Sequence, residues 1–293
     1  MASHVVDEVQ PDGPDTGVDP DGSGSDRPRR RLRTVLIVVA VLVAVLVAAG
    51  VAWFVFGREQ AEPLSDDQAL LEFRAAQGSS GDAEGRPAAG VYAATASGTE
   101  SIGVPGFDED LGPNAPLTLT YGEGGCFTSR VDFNSHHWRS WTYCPSPTAT
   151  FALVGLETWT QRKAPGLDLT TLSTYTCDEP LDVVWSDATA GQTRAGSCTG
   201  VTDLDDAVTA DRAAAEVVGS ETLEIDGERV EVVRVRTTDD FSDAQSGRES
   251  GEWWFDARTG LPVRFSVDAS LSGGSGDYAE DFEVELTSTR PAT

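Results

Sequence analysis

Residues 126–144 read CFTSRVDFNSHHWRSWTYC, and the register of this stretch decides the fold. Val, Thr and aromatic residues fill two runs, 126–133 and 138–144, on either side of a polar turn, which is the composition of a β-hairpin rather than a helix. If Asn134-Ser135-His136 forms a three-residue loop, Phe133 opposes His137, and the same register sets Cys126 directly opposite Cys144. Directly opposed Cα atoms in an antiparallel pair lie about 4.5–5.5 Å apart, within disulfide reach. Phe127 then opposes Tyr143, and Ser129 opposes Trp141, on the face away from the cysteines. This register predicts a disulfide between Cys126 and Cys144 and leaves Cys177 and Cys198 to pair with each other. With no CxxC or CxxH spacing in the chain, no zinc or other metal site is expected.

Working outward, the same residue types recur in runs at 117–121, 150–160, 169–176, 221–237, 251–255, 261–271 and 278–288, with turn residues between them. Asp226-Gly227 is a two-residue hairpin turn inside the fourth of these runs. The last run alternates Tyr278, Phe282, Val284 and Leu286 with Ala279, Asp281, Glu283, Glu285 and Thr287, the pattern of an antiparallel strand with one wet face. Residues 203–215 fit either a short helix or a loop followed by a strand. The expected fold is mainly β: a curved antiparallel sheet, half-barrel or barrel-like, over residues 90–290 and stapled by two disulfides.

Before this domain, residues 34–56 form an uninterrupted apolar run of 23 residues, preceded by Arg27, Arg29, Arg30, Arg31 and Arg33. At about 1.5 Å per residue the run reaches roughly 34 Å, enough to span a hydrocarbon core of about 30 Å. A secretory signal has a shorter apolar region and a shorter leader, so length favours a single transmembrane helix. The arginines place residues 1–33, an acidic disordered tail, in the cytoplasm and the C-terminal domain outside the plasma membrane. Residues 57–89 read as a juxtamembrane connection. Ser65-Asp66-Asp67-Gln68 has capping-box spacing for a short helix carrying Leu70, Leu71 and Phe73, and residues 78–90 read as a flexible linker.

Of 48 Asp+Glu and 21 Lys+Arg, seven acids and five arginines precede the apolar run, leaving 41 against 16 after it. Such a field repels nucleic acid, which is excluded as a partner. No GxSxG, HExxH, SxxK or Gly-rich phosphate loop occurs, so no catalytic residue and no cofactor is assigned, and an enzyme is the less favoured class. His136 and His137 are adjacent in the turn and read as polar tip residues. Asp108-Glu109-Asp110 and Asp203-Leu204-Asp205-Asp206 match no EF-hand and read as solvated loops. The tryptophans are more suggestive: Trp141, Tyr143, Trp159 and Trp254 lie on expected strands and are the candidate lining of an apolar ligand site.

Residues 253–264, WWFDARTGLPVR, form a strand, a Gly-containing turn and a return strand. Over residues 236–267 the chain resembles the mycobacterial lipid-binding lipoproteins and the periplasmic lipoprotein-carrier group. That resemblance implies an antiparallel half-barrel folded around acyl chains. Taken whole, the chain also resembles actinobacterial single-pass membrane proteins with an extracytoplasmic four-cysteine β domain, which implies no activity. Unlike the carriers, it has no cysteine before Cys126 to lipidate. The first expectation is therefore a membrane-anchored extracytoplasmic binding or sensing module for an apolar or envelope-derived ligand. A structural or protein-interaction ectodomain with an envelope protein partner comes second, and an envelope hydrolase third.

Overall fold

A computed structural model describes residues 27–57, 59–76, 85–103, 107–184, 188–203, 207–274 and 276–293. The chain forms two compact units, divided between Trp53 and Phe54. The first contains most of helix α1 (Arg27–Phe56), whose residues 33–54 are long and apolar enough for a membrane anchor or a signal sequence. No charged side chain interrupts the helix after Arg33, so nothing in that stretch needs water.

The second unit is one antiparallel sheet of fourteen strands. In chain order these are β1 (Gly90–Tyr92), β2 (Ala94–Ser101), β3 (Glu109–Asp110), β4 (Leu117–Tyr121), β5 (Phe127–Asn134), β6 (His137–Cys144) and β7 (Phe151–Ala164). They continue as β8 (Leu167–Val184), β9 (Thr193–Thr202), β10 (Val208–Ile225), β11 (Glu228–Asp243), β12 (Gln245–Asp256), β13 (Pro262–Gly273) and β14 (Gly276–Leu286). From β4 to β14 each strand pairs with the next in sequence, a meander. The sheet curls into a half-barrel form whose two ends meet in one hairpin. Tyr92 pairs with Leu117, Thr95 with Asn114 and Thr99 with Asp110, all in a single register, while the other edge of β2 pairs with β14. Bringing both ends onto one hairpin removes the exposed edges that an open sheet would present.

Side-chain alternation explains each strand. On β10 the inward residues are Thr209, Asp211, Ala213, Ala215 and Val217, with exposed Arg212 and Ala214 and half-buried Ala210 and Glu216 between them. Alanine-rich sequence suits a helix, but here a period of two buries one face against the curled sheet, and tertiary packing overrides propensity. The ambiguous stretch 203–215 therefore carries strand from Val208 onward, and residues 204–206 lie outside the described residues. The Asp226-Gly227 turn joins β10 to β11 with both residues at positive φ, 51° and 73°. That is the two-residue hairpin read from the sequence.

The hairpin of β5 and β6 keeps the expected body register, with Phe127 opposite Tyr143 and Ser129 opposite Trp141. Its tip differs from expectation: Asn134 pairs with His137, leaving a two-residue Ser135-His136 turn, and a bulge at Phe133 absorbs the offset. A bulge inserts one residue without disturbing pairing on either side. Cys126 bonds Cys144, and Cys177 bonds the directly opposed Cys198 on β9.

Helix α2 (Asp66–Ala76) begins with the reciprocal capping box: Gln68 N donates to Ser65 Oγ at 3.3 Å, and Ser65 N donates to Gln68 Oε1 at 3.1 Å. Its Ala69 and Phe73 are buried in the same core as β1, Leu70 packs against that core, and Leu71 stays exposed. Of the expected linker 78–90, residues 78–84 lie outside the described residues. Its end is packed on the sheet rather than free: Tyr121 Oη donates to Pro87 O, Tyr92 Oη donates to Ala88 O, and Gly90 opens β1.

Candidate functional site

Reading across the sheet, directly opposed inward residues form a belt: Asp239 on β11, Glu249 on β12, Ala269 on β13, Glu280 on β14 and Glu100 on β2. Glu100 in turn opposes Glu109 on β3. Four inward carboxylates in one belt, broken only by Ala269, demand counter-charge, because an unpaired buried ion is costly. It comes from β6 and β7. Arg139 Nη1 donates to Glu280 Oε2 at 2.9 Å, and Nη2 donates to both oxygens of Glu249 at 3.1 and 2.9 Å. His137 Nδ1 lies 3.0 Å from Glu100 Oε2, and its Nε2 lies 3.3 Å from Glu280 Oε1. Arg162 pairs with Glu100 and lies 3.4 Å from Glu109.

Burial and counter-charge compete at each group. Burial alone would raise the Glu100 carboxyl, but His137 and Arg162 hold it down, at about 2. Burial would lower the His137 imidazole, yet Glu100 and Glu280 raise it above the usual histidine value. For Glu280 burial outweighs Arg139 and His137, and its carboxyl is raised. Asp211, next to the belt on β10, has no hydrogen-bond partner for either carboxylate oxygen. Burial, with Glu249 and Asp240 nearby, pushes it up to about 7.

The belt divides the interior. Toward one end lie packed aromatic rings: Trp141 meets Trp253 edge-on at 5.1 Å, Trp253 stacks on Phe265 at 4.6 Å, and Phe133 meets Phe282 at 4.7 Å. The gap there, beside Trp141 and Tyr143, is about 20 Å³. Toward the other end the side chains shorten to Thr158, Thr160, Thr171, Ser173 and Thr202, and a cavity of about 180 Å³ opens. Tyr175, Phe241 and Tyr278 give it aromatic walls, Leu156, Leu169, Leu271 and Ile102 aliphatic ones. Arg139, Glu249 and Glu280 form its floor, and exposed Ser272, Gly276 and Asp277 its rim. A dry cavity of roughly 150 Å³ holds a benzene molecule, so this one takes a single ring or a short chain rather than a whole diacyl lipid.

The four residues read as ligand-lining are distributed differently. Trp141 and Tyr143 point inward but belong to the packed aromatic end. Trp159 alternates with inward Thr158 and Thr160, so it faces outward, stacked on Trp138 at 6.4 Å. Trp254 also faces outward, between Arg234 at 5.0 Å and Arg264 at 5.1 Å. None of the four lines the larger cavity. Trp185 lies outside the described residues.

Both histidines depart from the turn-tip reading. Each is buried: His136 Nδ1 lies 3.3 Å from Glu109 Oε1, and His137 sits between two carboxylates. The acidic run 108–110 likewise contributes Glu109 to the interior network rather than remaining a solvated loop. Asp203 Oδ1 accepts from Leu172 N at 2.9 Å. Among the described residues no group of three or more His, Cys, Asp and Glu is arranged to hold a metal ion. The sequence signal for the belt was periodicity. Glu280 falls on the apolar face of the last strand, between Tyr278 and Phe282, and Arg139 falls between His137 and Trp141. A charge on an inward position of a sheet marks either a network or a site. No protein-family model, curated protein or solved structure matches this chain.

Proposed function

We propose that the domain is a membrane-anchored extracytoplasmic binding module that takes a ring or short chain of an envelope-derived ligand into the cavity bounded by β7, β8 and β12 to β14. The observation that carries this reading is the contrast within one interior. Large rings fill one end tightly, whereas the other is walled by small hydroxyl residues and a few aromatic rings above a charged floor. Pockets with apolar walls and a few placed polar groups are the common form of small-ligand sites. The anchor is the apolar helix, with the arginine cluster on its cytoplasmic side. Two disulfides support an oxidising compartment for the domain. Among the described residues the His136 and His137 rings meet carboxylates, Glu109 for the first and Glu100 and Glu280 for the second.

Thermal unfolding of the full chain in detergent, with and without a small neutral ring compound such as benzyl alcohol, tests the reading. At ten times its dissociation constant a ligand of the native state adds about 1.4 kcal/mol, roughly 3–6 °C for a domain of this size. Thr171→Trp places a large ring in the cavity and removes that gain. Equal shifts in both proteins, or none in either, refute binding in this cavity.

A further inference from the structure

Building on that binding reading, we propose that the guest is an organic cation: an ammonium group on an apolar body of about one ring, seated with its charge toward Glu280, Glu249 and Tyr278.

Charge balance is the first argument. Glu100, Glu109, Glu249, Glu280, Asp239 and Asp211 face inward, against Arg139, Arg162, His136 and His137. With His136 beside Glu109 included, six carboxylates face four basic side chains. Orphaned polar atoms are the second. Both oxygens of Asp211 are buried without a hydrogen bond, and Glu280 Oε1, on a cavity-lining residue, has only His137 Nε2 beside it at 3.3 Å. Each carboxylate oxygen pair offers about four acceptor positions, so Glu249 and Glu280 can receive an ammonium without releasing Arg139. Third, Tyr175 and Phe241 stand 5.7 Å apart beside these acids, and aromatic faces attract ammonium groups while packing on the apolar body. A net negative domain also concentrates cations at its surface.

An anion is the rival guest, since Arg139 Nε and Arg162 Nε are also buried without partners. Both guanidiniums already pair with carboxylates through their other nitrogens, so an entering anion would meet Glu249, Glu280 and Glu100 as well.

Titration of the full chain in uncharged detergent with benzylamine, benzyl alcohol and benzoate at pH 7 tests the proposal by calorimetry. The three share a ring and differ in charge. The proposal expects benzylamine to bind at least about ten-fold more tightly than benzyl alcohol, the scale of a charge-assisted hydrogen bond, and benzoate to bind weakest. Glu249→Gln should reduce the preference for the amine several-fold with little change for the alcohol. Alcohol or benzoate binding as tightly as the amine, with Thr171→Trp abolishing it, overturns the cation proposal and leaves the cavity reading standing. Failure of all three to bind, or binding that Thr171→Trp does not change, overturns the cavity reading and the cation proposal together.

Discussion

Replacing Arg139 with methionine removes the one guanidinium that joins Glu249 to Glu280 while keeping most of the side-chain volume. Glu280 is 2% exposed and the Glu249 side chain 12%, so bulk water reaches Glu249 only in part and Glu280 hardly at all. Removing one partner of a buried ion pair costs about 3–5 kcal/mol; here Glu249 loses its guanidinium outright, while Glu280 keeps only His137, 3.3 Å away. For a domain of about 200 residues that is roughly 6–20 °C in melting temperature. Interior Trp141 and Trp253 provide the fluorescence signal. In the variant the stranded carboxyls have folded pKa values above their unfolded ones. Stability is therefore lost as pH rises from the carboxylate range, and the deficit against the parent is smaller at pH 5 than at pH 8. Adding Glu249→Gln and Glu280→Gln to Arg139→Met removes the stranded charges and should recover more than half of the loss. A single variant melting within about 2 °C of the parent at pH 8, or a triple variant no better than the single one, would refute the belt as an electrostatic unit.

Peptide mapping under non-reducing conditions should recover Cys126 linked to Cys144 and Cys177 linked to Cys198, and Cys177→Ala with Cys198→Ala should cost about 2–4 kcal/mol. Asp211 holds its proton in the folded state up to about pH 7 but loses it near 3.8 when unfolded, so it removes stability as pH rises through that window. Asp211→Asn should therefore match the parent near pH 4 and exceed it at pH 8 by about 1–3 kcal/mol, read from denaturant midpoints; an identical pH profile would contradict this. A reporter fused after Thr293 should be active only in the extracytoplasmic space, and cytoplasmic activity would reverse the proposed topology.

The β-hairpin carried its own register in sequence, since a two-residue side-chain period and two cysteines left one pairing in which bridge and alternation agree. The capping box of α2 was equally legible, being a local interaction among four residues. Strands β1, β2 and β9 were not, because GVYAATASGTES and TRAGSCTGVT are small and weakly apolar and become strands only by pairing with neighbours distant in the chain. The cavity was missed for a related reason. Tryptophans draw attention as ligand contacts, yet large rings fill space, and it is Thr158, Thr171 and Ser173 that leave it open. The belt required knowing that Glu280 opposes Glu100, a pairing 180 residues apart that no local pattern encodes.

Native mass spectrometry of the full chain, purified in mild detergent from envelope-containing cells, tests most directly whether the cavity is a binding site. The parent protein is predicted to carry a small-molecule adduct that Thr171→Trp lacks. A parent without any adduct, or the same adduct on both proteins, would contradict a ligand held between β7, β8 and β12 to β14.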